Sequence, residues 1–445
     1  MKLKKRWWIL ITLVVIPICG IFIFRYHCQA EFNRRVEALA AKNIPVSLDS
    51  FEKKYVLSED VPNAASIYIE AFSFYCDPNE LERKFLPIRG DYCWTDDVLP
   101  LPTEVMNTLK SSLKANQKTL ELIDEATPID YCLFPRFRET NSSSKNEYLS
   151  NLKNSDRLLC ERNLYLAQTH QTSELFKTMS TLLKFSRRLD KQGYLIDDMV
   201  GVSFKALATD NLKVVINQNV FNEAQLKDFQ LQFIKMQDTS SYSISLINER
   251  CGAIEFFCTH FNDRDHTSEK LSAKRLKKFY YLTGLEKKES LFMLDYLQDY
   301  IDASMLPVDQ WPDAFEKIQN EIRDRIYWQL YSSELMLYCK IAQIRLRVLG
   351  QLRCTETALA VERYRLKYDA LPESLEALVP EFMEAVPLEP FDGQPLRYIR
   401  REGGYTVYTI GEDGVDNGGW SKEQMAEETG EENPKEYDWP FTVRR

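Results

Sequence analysis

Hydrophobic and polar positions alternate in three textures along the 445-residue chain. The first is WWILITLVVIPICGIFIF, Trp7 to Phe24, an apolar run without a single charged side chain. As a helix this run is roughly 27 Å long, close to the ~30 Å hydrocarbon core of a bilayer. Lys2, Lys4, Lys5 and Arg6 precede it, and Pro17 inside it is tolerated by a membrane helix. No small-x-small cleavage site follows, so the pattern predicts an uncleaved signal anchor with its N-terminus inside and the body exported. The expected location is therefore the inner membrane, single-pass, with the membrane itself as a partner through residues 7–24.

The second texture is helical. Residues 26–42 read as a polar helical stalk. Residues 77–104, rich in Asp, Pro and aromatics, read as a long ordered loop. In TSELFKTMSTLLKFSRRLDKQG, Leu175, Met179, Leu182 and Leu189 fall on one face at 3.6 spacing, and Gly193 fits a position just past a helix end. In NEAQLKDFQLQFIKM, Asn222 and Gln225 form a capping-box pair, and Leu226, Phe229, Phe233 and Met236 make the apolar stripe. More helices are predicted over about 241–258, 286–303 and 312–368. No fixed period links them, so a repeat array is not indicated.

The third texture starts near residue 370. LPESLEALVPEFM reads as a short helix ended by Pro380. PLRYIR and YTVYTI, separated by REGG, read as a β-hairpin. Residues 421–437 are acidic and expected to be mobile, and DWPFTV can return as a last strand. The predicted fold class is mainly α: an irregular multi-helix domain after an N-terminal transmembrane helix, with a small C-terminal α+β antiparallel hairpin domain. The predicted boundaries are a basic stub over 1–6, the transmembrane helix over 7–24, a stalk and following segment over 25–104, the helical domain over 105–368 and the tail over 369–445.

Composition narrows the function classes. The net charge is −9 although the N-terminus is basic, so the body is strongly acidic and lacks the footprint that nucleic-acid binding needs. Ten cysteines occur without a C-x-x-C pair, which gives no support to zinc-ribbon or thioredoxin readings. Cys160 and Cys339 sit in apolar helical patterns, as small buried hydrophobes do. Disulfide pairing among the others stays open in an oxidising compartment.

The tail carries the clearest motif. Six of the 15 glycines, Gly403, Gly404, Gly411, Gly414, Gly418 and Gly419, crowd into it. The run from ALAVERYRLKYDALPESLEALVP through PFDGQPLRYIRREGGYTVYTIGEDGVDNGG resembles the C-terminal part of the type II secretion major pseudopilin. In that family a long helix leads to a short helix, a hairpin and a Gly/Asp-rich calcium loop. The match covers about residues 355–443. The wider layout resembles uncharacterised bacterial membrane-anchored envelope proteins that carry the same tail. The N-terminus departs from the pseudopilins, with no Gly-Phe pair and no Glu in the apolar run.

The resemblance implies a calcium site in which Asp413, Asp416 and Asn417 supply oxygens and Asp438 stands for the family's late, closing aspartate. Calcium takes six to eight oxygen ligands on a strongly bent chain, and the loop has both oxygens and glycines. The plain alternative is a glycine-rich turn whose acids cap backbone N–H groups.

Other constellations are weaker. CTHFNDRDH gathers Cys258, His260, Asp263, Asp265 and His266 at no defensible zinc spacing. Arg and acid residues in SDRLLCERNL read as pairs along a solvated or half-buried helix face. Asp197 and Asp198 are adjacent, so on a helix they diverge by ~100° and cannot work as one acid–base pair. No nucleophile, P-loop or dinucleotide motif is present, no catalytic residue is identified, and no small-molecule substrate is indicated. The leading expectation is a non-enzymatic envelope scaffold or interaction protein with protein partners. The alternatives are a calcium-stabilised component of a secretion or pilus-like assembly, and an enzyme with its site in the helical domain.

Overall fold

The computed structural model describes residues 2–55, 61–92, 99–135, 142–218, 221–260, 279–280, 282–325 and 332–444. The protein is mainly helical, 67% of it, with a three-stranded antiparallel sheet near the C-terminus. In chain order the helices are α1 (Lys2–Ala41), α2 (Leu48–Tyr55), α3 (Ala65–Ser73), α4 (Glu80–Arg83), α5 (Thr103–Ala115), α6 (Gln117–Ala126), α7 (Ser142–Gln168), α8 (Thr172–Phe185), α9 (Leu195–Gln218), α10 (Glu223–Met236), α11 (Ser240–Glu255), α12 (Leu285–Ser304), α13 (Trp311–Arg325), α14 (Ser332–Tyr368) and α15 (Lys422–Thr429). The strands are β1 (Arg397–Arg401), β2 (Gly404–Thr409) and β3 (Trp439–Arg444).

The chain divides into two compact units, each assembled from separate stretches of sequence. The first holds residues 1–58, 242–306 and 313–340. Its core is aromatic. Tyr300 stacks on Phe315 at 5.8 Å and donates its hydroxyl to the Leu335 carbonyl at 2.9 Å. Tyr242 donates to the Tyr338 carbonyl at 2.7 Å, so these buried phenols keep partners.

The membrane anchor expected over residues 7–24 is corrected here. Among the described residues no helix is long and apolar enough to cross a membrane. The helix does not stop at the end of the apolar run but continues to Ala41. Its later part is no free stalk either. Cys28 and Phe32 are buried, and Arg35 pairs with Asp295 on α12. The transmembrane helix, the signal anchor, the membrane partner and the inner-membrane location are withdrawn together.

The second unit holds residues 59–241, 307–312 and 341–445. It contains α3 to α10, most of α14 and the sheet. Around Tyr68, Phe185, Phe204, Phe229 and Phe233 lies one continuous apolar core. The Asn222/Gln225 capping box forms as predicted, and Leu226, Phe229, Phe233 and Met236 are all buried.

The stripe over 175–189 is buried too, but α8 stops at Phe185. Arg188 then turns inward. It donates to the carbonyls of Thr127 at 2.6 Å and Ile129 at 2.7 Å, beyond the last turn of α6. A buried guanidinium thus satisfies carbonyls that a helix end leaves open. Gly193 comes well after this point, in the left-handed region that precedes α9.

The predicted short helix near 375 is a single 3-10 turn, Leu375–Leu378, because Pro380 offers no N–H to continue it. The acidic stretch after 420 contains a helix instead of a free tail. Ser421 and Gln424 cap α15 reciprocally, and Gly430 closes it in the left-handed region.

The sheet runs β1-β2-β3. Arg401 pairs with Gly404 across a two-residue turn, and Gly403 has φ 73°, the positive value that such a turn demands. DWPFTV does return as the last strand, with Val407 opposite Phe441. Tyr405, Val407, Phe441 and Val443 form a buried face, and the Tyr405 hydroxyl donates to Ala358 of α14. The outer edge of β3 is closed by one side chain of α9. Asn217 donates to the Thr442 carbonyl at 3.2 Å and accepts from the Arg444 N–H at 2.9 Å. An edge strand that invites pairing is blunted this way.

The described cysteines are all unpaired, with Cys160 and Cys339 buried as expected. Glu161 differs from its prediction. Its partner is not a helix neighbour but Arg89, 72 positions earlier, at 2.8 Å. Both side chains are nearly fully buried.

Candidate metal site

Residues 410–420 leave β2 and fold over the sheet face opposite the buried one. A Cβ on Gly419 would lie 3.0 Å from the Tyr408 ring and 3.3 Å from Thr406, so only glycine lets the loop lie this close. Gly411, Gly414, Gly418 and Gly419 all have positive φ. The glycines let the chain take these left-handed bends at four positions within nine residues.

Each predicted oxygen donor has a definite place. Asp413 accepts from the Val415 N–H at 3.0 Å and from the Tyr437 N–H at 2.9 Å, one bond on each oxygen. Asp416 Oδ1 accepts from the Gly418 N–H and the Tyr408 hydroxyl, both at 3.0 Å. Its Oδ2 lies 3.4 Å from Arg397 Nε. Asp438, 1% exposed, uses Oδ2 alone, which accepts from Asn417 N–H at 3.0 Å and Gly419 N–H at 2.7 Å.

Two oxygens remain. Asp438 Oδ1 and Asn417 Oδ1 are buried and have no hydrogen-bond partner. A buried acceptor left open costs about 1–3 kcal/mol, so each of these two oxygens calls for a partner. Both belong to the four residues singled out from the sequence.

Electrostatics agree with an oxygen-rich site. Burial pushes the Asp438 carboxyl up to about 7, the Asp416 and Asp413 charges push the same way, and the Gly419 and Asn417 N–H bonds only partly offset this. A cation placed among these groups would reverse that balance.

The donor set differs in detail from the predicted one. Among the described residues no group of three or more His, Cys, Asp or Glu side chains is placed to hold a metal ion. Calcium does not need one, because amide and backbone carbonyl oxygens serve equally. Asp438 and Asn417 have free oxygens. Asp413 and Asp416 already hold backbone N–H groups, and Asp416 also has a guanidinium beside it.

Sequence reasoning missed the residues that hold Asp416. Arg397 and Tyr408 are register partners across the hairpin, and both reach the same carboxylate. Extending the predicted hairpin pairing from its turn would have placed them side by side. Buried Glu389 was also missed. It accepts from the Ile410 N–H at 3.1 Å and the Phe391 N–H at 3.2 Å, which ties the PFDG turn to the start of the loop.

Asp197 and Asp198 do not act as a pair. Asp197 accepts from Tyr148, whereas Asp198 accepts from Ser241 and pairs with Arg345, so the two diverge as predicted. Asp263, Asp265 and His266 lie outside the described residues.

No family model, no curated protein and no solved structure matches the chain.

The raised Asp438 carboxyl has a pH signature. In the unfolded chain this group titrates near its ordinary ~3.9. In the metal-free fold it titrates at about 7. Between these values the fold keeps a proton that the unfolded chain has lost, so stability falls as pH rises through that window. Measured in chelator, the melting difference between Asp438→Asn and the parent is expected to widen from about pH 4 to about pH 7 and then level off.

Proposed function

We propose that this protein is a non-enzymatic scaffold or interaction protein whose C-terminal α+β module is locked by calcium. The observation that carries the reading is the pair of buried, unpartnered oxygens, Asn417 Oδ1 in the glycine-bent loop and Asp438 Oδ1 just before β3, whose other oxygen accepts from that loop's N–H groups. Asp438 and Asn417 would hold the ion directly, with Asp413 and Asp416 close by as further carboxylates.

A bound cation would join the loop after β2 to the start of β3. These elements are distant in sequence, and the intervening acidic segment adds only the short helix α15. Calcium supplies the positive charge that the buried carboxylate lacks. The chain's own groups do the positioning: Gly419 and Asn417 N–H orient Asp438, and Tyr408 and Arg397 orient Asp416.

The scaffold reading is supported by how the second unit uses its buried charges. Arg89 is paired with Glu161, Arg345 with Asp198, and Lys205 with Asp190 at 2.8 Å. Arg345–Asp198 joins α14 to α9, and the other two pairs hold the loops around Arg89 and Asp190 against α7 and α9, so these groups are committed to structure.

The test is thermal melting of the full chain in calcium and in chelator. Calcium at a hundredfold excess over its Kd is expected to stabilise the fold by about 2.7 kcal/mol. Equal melting at millimolar calcium would remove the metal from the proposal.

A further inference from the structure

We propose that the second unit carries a binding site for a small zwitterion of the α-amino acid type, in a cavity walled by Glu223, Arg363, Leu366, Lys367, Glu381 and Phe382. The cavity measures about 220 Å³ and is partly open to solvent. This exceeds the ~150 Å³ that holds a benzene ring and falls below the ~300–1,000 Å³ of drug-sized sites. A ligand the size of one amino acid fits that range.

Four charges surround the space in two pairs. Arg363 and Lys367 are one turn apart on α14 and so share a face. Glu223 is the first residue of α10, and Glu381 follows the 3-10 turn. Arg363 is largely buried, with a side chain 9% exposed. Its Nε and Nη2 both donate to Glu223 Oε1, at 2.9 and 2.7 Å. Its Nη1 donates to Gln230 Oε1 at 2.7 Å and the Phe382 carbonyl at 3.1 Å. This bonding fixes the guanidinium and leaves one Nη2 hydrogen unused, since an arginine has five.

The second pair is Lys367 with Glu381 Oε1, and the Tyr368 hydroxyl donates to Glu381 Oε2 at 2.9 Å. The Phe382 ring forms an apolar wall between the two cations, 5.4 Å from the Arg363 guanidinium and 6.0 Å from Lys367 Nζ.

Charge balance selects the ligand. A simple anion would add a negative charge beside Glu223 and Glu381 with no new cation to balance it. A simple cation would meet the mirror-image problem. A zwitterion can set its carboxylate against the open Arg363 and Lys367 hydrogens and its ammonium against the Glu223 and Glu381 oxygens, so the site gains no net charge. The apolar wall of Phe382 and Leu366 then favours a leucine- or phenylalanine-like body.

The experiment is calorimetric titration of the full chain with L-leucine and L-phenylalanine. The controls are 4-methylpentanoate and 3-methylbutylamine, which keep the body and one charge each. Saturable binding of an amino acid at one site per chain is expected, with each control at least about tenfold weaker. Lys367 is half-exposed, so Lys367→Ala should leave the fold intact and weaken amino-acid binding about tenfold. Circular dichroism verifies folding of the variant. The proposal fails if neither amino acid binds saturably, if a single-charge control binds as well as leucine, or if folded Lys367→Ala binds unchanged.

Discussion

Asp438→Asn is expected to make the metal-free protein more stable at pH 7.5 and to abolish any response to calcium. Both effects come from the same carboxylate. Its Oδ1 is buried without a partner, and its negative charge lies near those of Asp416 and Asp413. Asparagine keeps an oxygen for the Asn417 and Gly419 N–H groups and removes the charge. The gain in chelator is estimated at about 1–2 kcal/mol, below the full cost implied by the carboxyl's shift because an amide oxygen accepts less strongly than a carboxylate. In calcium the order reverses, since the parent gains binding energy and the variant does not. A variant that melts lower than the parent in chelator at pH 7.5 would mean that Asp438 stabilises the loop by its hydrogen bonds alone.

The largest stability loss is expected at Glu161. Its Oε1 accepts from the Arg89 N–H at 2.8 Å, and its Oε2 from Arg89 Nε at 2.8 Å. The Arg89 side chain also reaches the Tyr75 hydroxyl at 3.2 Å and Ser112. Glu161→Ala leaves a guanidinium buried with no carboxylate, and such a loss costs about 3–5 kcal/mol. Urea denaturation followed by circular dichroism reads this directly, with an unchanged slope if the unfolded state is unaffected. Replacing both partners, Arg89→Met with Glu161→Leu, is expected to recover much of that loss, because no orphan charge remains. If the double variant is as damaged as Glu161→Ala, the pair matters through packing and not through charge.

What the sequence revealed follows the range of the forces involved. The Asn222/Gln225 capping box, the Leu226–Met236 stripe and the REGG hairpin are local patterns, and they appear where periodicity and turn chemistry put them. The end of α8 was not legible, because it depends on Arg188 reaching carbonyls some 60 positions earlier. Glu161 has the same history, with a partner 72 positions away. The acidic stretch after residue 420 was misread because charge content outweighed a Ser421/Gln424 cap in plain view. The apolar run near the N-terminus was weighed by its length, its flanking charges and the lack of a cleavage site, and packing of Cys28 and Phe32 later in the same helix left no trace in those local signals.

The candidate site was half legible. Asp413, Asp416 and Asn417 lie in the loop after β2, and Asp438, just before β3, accepts from the N–H groups of Asn417 and Gly419. Which of them have oxygens to spare depends on backbone N–H directions that no spacing encodes. Asp413 is occupied by Val415 and Tyr437, whereas Asp438 and Asn417 each keep one oxygen open.

The central claim is that these two oxygens belong to a calcium site. The most direct measurement is calorimetric titration of metal-free full chain with calcium chloride at pH 7.5, alongside Asp438→Asn. The account predicts one ion per chain for the parent and no saturable heat for the variant. Absence of saturable heat from the parent up to about 5 mM, beyond the ~10⁻³ M weak limit of calcium modules, would contradict it.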